Sequence, residues 1–180
     1  MERFRRGDRD AFAMLYGEHS PAVFRFAFYM TGDRMRAAEI MQDVFVWLVH
    51  HPGEFDSERG GLAAFLGGVA RKFLHRQQRD ERRWLPIEDA APSALESGAG
   101  VEFALGLERA QEAAALHKAI AALPERYREA VVLCDLQGRS YEDAAAVMDC
   151  AVGTVRSRLH RARELLARKF QRRKEGQKCG

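Results

Sequence analysis

The sequence predicts an all-α protein: two small helical domains joined by a flexible linker, the second domain carrying a helix-turn-helix. Three observations carry that expectation. Apolar residues recur at intervals of three and four over most of the 180 residues, the spacing that lines one face of a helix, and no segment alternates as a strand would. Between Trp84 and about Gly106 this periodicity stops, and Pro86, Pro92, Ser93, Ser97, Gly98 and Gly100 take over with acidic residues among them, which is linker composition. Near the C-terminus, Ser140 to Phe170 reads as two helices separated by a short break.

In chain order, Asp10 to Tyr16 starts a helix with Phe12, Leu15 and Tyr16 on one side, and Ser20-Pro21 restarts it, a cap residue followed by proline at a first helical position. Phe24 and Phe28 continue the apolar stripe to Thr31-Gly32. Asp33 opens a further helix in which Ala37, Ile40, Met41, Val44, Phe45 and Leu48 face inward, and Pro52-Gly53 ends it. His50 to Gly61 is loop by composition. Leu62, Phe65, Leu66, Val69 and Phe73 then line another helix whose later turns are basic. After the linker, helix resumes from Leu107 to Leu123, Pro124 starts the next with Tyr127, Ala130, Val131 and Cys134 inward, and Gly138 closes it. The expected boundaries are 1–83, 84–106, 107–174 and a tail at 175–180.

Ser140 with Asp143 forms a capping-box pattern, and Ala144 to Met148 are small or slender residues that let another helix approach. Asp149-Cys150-Ala151 breaks the pattern. The following helix buries Val155, Leu159, Ala162 and Leu166 and turns Arg156, Ser157, His160, Arg161 and Arg163 outward, with Thr154 near its start. From Val152 to Lys174 there are nine basic residues against a single acid, Glu164. A solvated helix normally mixes signs, so the asymmetry points to a polyanion, and the two-helix unit is shaped for the DNA major groove.

Charge is uneven along the whole chain. Residues 1–83 hold fourteen basic and twelve acidic residues, residues 84–122 two and six, and residues 123–180 thirteen and eight. Two basic ends about an acidic middle suggest two nucleic-acid contacts joined by a segment that stays off the DNA. No apolar run is long enough to cross a membrane, the N-terminus lacks the apolar core of a secretory signal, and Cys134, Cys150 and Cys179 lack metal-type spacing; a cytoplasmic location is expected. Catalysis is not. His50-His51 cannot place two ligands on one helix face, His19, His75, His117 and His160 stand outside any metal-ligand spacing, and phosphate loops and nucleophile motifs are missing. No metal or cofactor is expected.

Leu123 to Leu166, with Leu123-Pro124, Gly138, Ser140-Tyr141-Glu142-Asp143, Val152-Gly153-Thr154-Val155-Arg156-Ser157-Arg158-Leu159 and Arg161-Ala162-Arg163, resembles the promoter-reading C-terminal domain of extracytoplasmic-function (ECF) sigma factors. The N-terminal part is similar to the same family in the same order. Asp10-Ala11-Phe12 with Leu15-Tyr16 resembles its first helix, and Ala38 to Phe45 followed by Trp47-Leu48 its polymerase-binding helix. Phe55 to Arg83 resembles the loop and helix that melt and hold the −10 element. Two positions depart from the usual pattern: Phe65 stands where tryptophan is common, and Lys72 where Ala-Arg-Asn would end.

The resemblance implies a sigma factor that binds RNA polymerase core and directs promoter-specific initiation through −10 and −35 elements, with promoter DNA, core polymerase and an anti-sigma factor as partners. It implies −35 contacts from Thr154, Arg156, Ser157, His160, Arg161 and Arg163. For single-stranded −10 DNA it implies Phe55, Arg71, Lys72, Arg76 and Arg79, cations and an aromatic along a groove. For polymerase it implies Glu39, Gln42, Asp43 and Trp47. The alternative is a helix-turn-helix regulator that binds DNA without replacing sigma, its N-terminal half serving sensing or dimerisation.

Overall fold

The computed structural model describes the backbone of residues 1–84 and 107–178, and the side chains of residues 1–80 and 113–171. The expected linker, apart from Trp84, lies outside the described residues. Among the described residues eight α-helices follow in order: α1 (Glu2–Arg5), α2 (Arg9–Thr31), α3 (Arg34–His50), α4 (Leu62–Trp84), α5 (Leu107–Ala121), α6 (Glu125–Val131), α7 (Tyr141–Met148) and α8 (Val152–Lys178). No strand occurs among the described residues, and none of their helices is long and apolar enough to cross a membrane.

Side chains that satisfy free backbone N–H groups set the helix starts. Asp8 accepts from the N–H groups of Asp10 and Ala11 ahead of α2, and Asp33 from Met35 and Arg36 ahead of α3. The Ala11 N–H and the Arg3 guanidinium together hold the Asp8 carboxyl below its ordinary range. Ser140 accepts from Asp143 N–H at 3.0 Å, the bond its sequence pattern predicts. Gly32, at φ +75°, ends α2 in the left-handed conformation that costs glycine little. Asp149, at φ +49°, ends α7 in the same way, the only non-glycine at positive φ among the described residues.

One expectation is corrected. The helix does not restart at Ser20-Pro21; α2 runs unbroken through Pro21. Proline inside a helix costs roughly 3 kcal/mol through a lost hydrogen bond and a clash with the carbonyl four residues back. Here the buried stripe of Ser20, Val23, Phe26, Ala27 and Met30 continues across it, and the burial of those side chains offsets the defect.

The N-terminal half is a bundle in which α2 packs on α3 and α4, and α3 on α4. In the C-terminal half α6 and α7 both pack on α8, and a π-type turn continues α6 through Leu136 before Gly138, at φ +64°, turns the chain into α7. The two halves are not held apart: α4 lies against α7, α2 touches α5 and α6, and buried residues of both halves form one continuous core. Polar ties cross the seam. Arg71 Nε donates to Glu129 Oε1 at 2.8 Å, Gln137 Nε2 to the Ala22 carbonyl at 2.8 Å, and Tyr29 Oη meets His117 Nε2 at 2.9 Å. Burial pushes the Tyr29 hydroxyl up and the His117 imidazole down, favouring a neutral pair. Arg128 donates to Met30 O at 2.8 Å and to the carbonyls of Ala121 and Leu123, so one guanidinium closes the C-terminal ends of α2 and α5.

At Gly67 of α4 there is no room across the seam for a side chain: an added Cβ would sit 3.0 Å from Val147 Cγ2 of α7. Val147 is buried and cannot withdraw. Replacing Gly67 by Phe is therefore expected to force α4 and α7 apart while leaving α4 helical, since Phe has the higher helix propensity. Small-angle scattering should show a larger radius of gyration with unchanged far-ultraviolet dichroism; an unaltered radius would contradict this account of the seam.

Candidate nucleic-acid and partner interfaces

The helix-turn-helix is built as its sequence suggests. Val155, Leu159 and Ala162 of α8 are wholly buried, against a unit that includes Ala144, Ala145, Val147 and Met148 of α7. That fixes the rotation of α8, and Arg156, Ser157, His160, Arg161 and Arg163 are all exposed, with Thr154 half-buried at the first turn. The side chains are already engaged. The Arg156 guanidinium lies over the Tyr141 ring, 5.6 Å from its centroid, a cation–π contact that holds it out from the start of α8. Ser157 Oγ donates to Thr154 O at 2.9 Å.

Arg161 donates to Glu164 at 2.5 Å, and His160 Nε2 lies 3.4 Å from the same carboxylate. The Arg161 bond holds the Glu164 carboxyl below its usual range. Arg163 makes two bonds to Asp135, at 2.6 and 3.1 Å, which raise its already high pKa and tie α8 to the end of α6. Arg163 thus serves an internal tie as well as a surface charge. Sequence reasoning missed Tyr141 and Asp135, because their roles depend on packing between helices.

In the N-terminal half the expected residues divide. Lys72, Arg76 and Arg79 are exposed along one side of α4, at the i, i+4 and i+7 spacing of a single stripe, and Arg76 lies over the Phe73 ring at 4.8 Å. Arg71 is not on that stripe. Its side chain is 24% exposed and its charge is spent on Glu129, whose side chain is 2% exposed. Phe55, which its sequence position offers for the −10 strand although a loop anchor is the commoner role for such a residue, is 6% exposed, with its ring edge-on to Phe65 at 5.5 Å. Arg5 holds the loop by donating to the carbonyls of Pro52 (3.1 Å) and Phe55 (2.5 Å). Phe55 anchors the loop in this arrangement and offers no stacking face.

On α3, Glu39 and Gln42 are exposed and Asp43 is half-buried. Trp47 stacks on His51 at 4.7 Å and leans on Phe65 at 6.0 Å, so it is part of the packing at the edge of that face. Gln42 borders a shallow apolar depression lined by Phe12, Tyr16, Phe45, Val46, Val49 and His50. Val46 and Val49 are each about half exposed, and Met35 near the start of the same helix is more exposed still, so this face of α3 is open and apolar.

Comparison with known proteins gives a consistent result. Residues 15–84 match the family model Sigma-70 region 2 and residues 113–166 match Sigma-70, region 4. The chain is 31% identical to the ECF RNA polymerase sigma-E factor of Escherichia coli K12, covering 95% of this chain and 92% of that protein. It is 30% identical to the RNA polymerase sigma-H factor of Pseudomonas aeruginosa, covering 95% and 92%. It is also 31% identical to the ECF RNA polymerase sigma factor SigE of Mycolicibacterium smegmatis, of whose length it spans 58%. Among solved structures, the sigma factor RpoE bound to the anti-sigma factor NepR from Bartonella quintana is similar, with a TM-score of 0.71 and 27% identity over 89% of this chain and 97% of that one. CnrH in complex with the cytosolic domain of CnrY shares the fold, with a TM-score of 0.67 and 24% identity over 92% and 90%.

The Arg71–Glu129 pair lends itself to a direct check. Removing one partner of a buried ion pair typically costs about 3–5 kcal/mol, because a charge stays buried alone. Arg71→Met should lower the melting temperature or separate the halves, whichever is cheaper, and adding Glu129→Met should recover most of the loss. A single Arg71→Met variant that melts like the parent would show that the pair does not hold the seam.

Proposed function

The chain belongs to the ECF RNA polymerase sigma factors, which direct promoter-specific transcription initiation, and from that membership we propose how its surfaces divide the work. Residues 1–83 bind core polymerase and the −10 element, residues 107–174 bind the −35 element, and residues 84–106 connect them. Polymerase meets α3 through Glu39, Gln42 and Asp43 beside the apolar depression, with Trp47 supporting that face from its edge. Lys72, Arg76 and Arg79 carry the phosphates of the opened −10 strand. Arg156, Ser157, His160 and Arg161 enter the −35 major groove, with Thr154 at the helix start and Arg163 toward the flanking phosphate. Arg71 joins the −10 contacts only when the two halves part, since Glu129 holds it here.

The observation that carries this reading is the outer face of α8: basic and exposed over its first turns while Val155, Leu159 and Ala162 behind it are wholly buried. Family membership weighs against the alternative of a regulator that leaves sigma in place. The work is binding and positioning, with no catalytic role for the chain, and it takes place in the cytoplasm with the polymerase. An anti-sigma protein is a proposed further partner, supported by the likeness to the complexed Bartonella quintana structure.

Two measurements test the assignment. Changing Gln42 and Asp43 together to Ala should alter stability by no more than roughly 0.5 kcal/mol, since neither is in the core. The double variant should nonetheless compete poorly for core polymerase; normal competition would remove α3 from the polymerase contact. Separately, transcription from a library randomised at −35 should respond to Arg156→Ala and Arg161→Ala. Loss of a bidentate guanine contact, worth roughly 1–3 kcal/mol, flattens preference at one base. Loss of a phosphate contact weakens every promoter alike and lowers salt dependence. If neither variant changes the ranking of sequences, α8 anchors without reading bases.

A further inference from the structure

His75, which stands alone in the sequence, does not stand alone in the fold. Its ring reaches across the seam from α4 to two carboxylates of α6, Glu125 and Glu129, which the i, i+4 spacing places on one helix face. Nδ1 lies 3.4 Å from Glu125 Oε1 and Nε2 lies 3.6 Å from Glu129 Oε1. The three residues offer one ligand atom each, all within 4.8 Å of one another. His75 Nε2 and Glu125 Oε1 are both buried without a hydrogen-bond partner, a costly condition for groups of this polarity. Arg71 satisfies Glu129 but is not bonded to either of these atoms.

We propose that His75, Glu125 and Glu129 form a site for a divalent transition-metal ion of the zinc or cobalt class, spanning the seam between the two halves. The donor set fits: one imidazole nitrogen and two carboxylate oxygens bind such ions at about 2.0–2.2 Å, and tetrahedral ligands at those bond lengths lie ~3.4 Å apart. The 3.4 and 3.6 Å distances belong to opposite ring nitrogens, only one of which can hold the ion, so the three ligand atoms, which lie within 4.8 Å of one another, must close in by up to about 1.4 Å as the imidazole turns. Arg71 Nε already donates to Glu129 Oε1, the oxygen that faces His75 Nε2, so the ion takes a remaining lone pair of that carboxylate while Arg71 orients it from outside the ligand set. Two carboxylates and one guanidinium leave a net negative cluster that a dication more than balances. Because one ligand comes from α4 and two from α6, the ion binds the packed arrangement and not the separated one. Binding therefore stabilises packing by linkage. The inference does not depend on which promoter bases the chain reads.

The test is a titration of the full-length chain with Co²⁺ after chelator treatment, followed by visible absorption, with melting temperature in Zn²⁺ as a second readout. The wild type should saturate at one equivalent with weak d–d bands and no thiolate charge-transfer band, and Zn²⁺ should raise its melting temperature. His75→Ala and Glu125→Gln should each weaken binding by at least about tenfold and abolish the thermal shift, whereas a His50→Ala, His51→Ala control should change neither. Glu125 is 36% exposed and glutamine keeps its shape, so that variant decides the matter should His75→Ala disturb the fold. Absence of binding at millimolar Co²⁺, a thiolate band from Cys134, Cys150 or Cys179, or equal binding by the Glu125→Gln variant would each overturn the proposal.

Discussion

A buried carboxylate sets the terms for this fold. Glu129 lies on the inward face of α6 with its side chain 2% exposed, beside Ala130 and Val131 in the core. A carboxylate so placed must be paired or neutralised. Its partner, Arg71, belongs to α4 of the other half, so in the packed chain the pairing of this carboxylate depends on the two halves lying together. Packing of α4 against α7 brings that pair together and joins the two apolar cores, while Gly67 leaves room on α4 for the Val147 side chain. The pair stabilises less than its charges suggest, since desolvation offsets most of the attraction. What it supplies is register: only one placement of α4 along α6 puts the guanidinium on the carboxylate.

The other charges across and within the C-terminal half follow the same economy. Arg128 is drawn inward to the carbonyl ends of α2 and α5, where burial lowers its pKa but hydrogen bonds satisfy most of its donors. Arg163 is bound to Asp135 and so steadies α8 against the end of α6. What remains outward on α8 is Arg156 propped on Tyr141, with His160 and Arg161 sharing Glu164. These are surface contacts that water already screens, each worth little by itself. They are therefore contacts that a polyanion can displace at small cost, unlike the Arg71–Glu129 bond.

The packed arrangement also separates the two proposed working faces by how accessible they are. The stripe of Lys72, Arg76 and Arg79 on α4 is open, while Arg71 one residue away lies in the seam. Among the described residues, α3 packs chiefly on α2 and α4 of its own half, and α8 on α5, α6 and α7 of its own. A protein that must grip a large enzyme and two DNA elements thus presents most of its proposed contact residues while its halves are together, and withholds those at the α4–α6 seam.

Periodicity and local chemistry made most of the elements legible in the sequence. The 3-and-4 spacing gave the helices, Asp33 and Ser140 their starts, and Gly32 and Gly138 their turns, because these are interactions between residues a few positions apart. The outward rotation of Arg156, His160 and Arg161 was equally legible, since Val155, Leu159 and Ala162 fix it from within the same helix. The capture of Arg71, the continuity of α2 through Pro21 and the gathering of His75 with Glu125 and Glu129 were not. Each depends on atoms brought together from positions far apart in the chain, or on core packing strong enough to override a local preference. Helical pattern specifies which face of an element is apolar, and it carries no information on which other face will cover it. Only the tertiary structure decides that, through the joint demands of filling the core and leaving no buried charge unpaired.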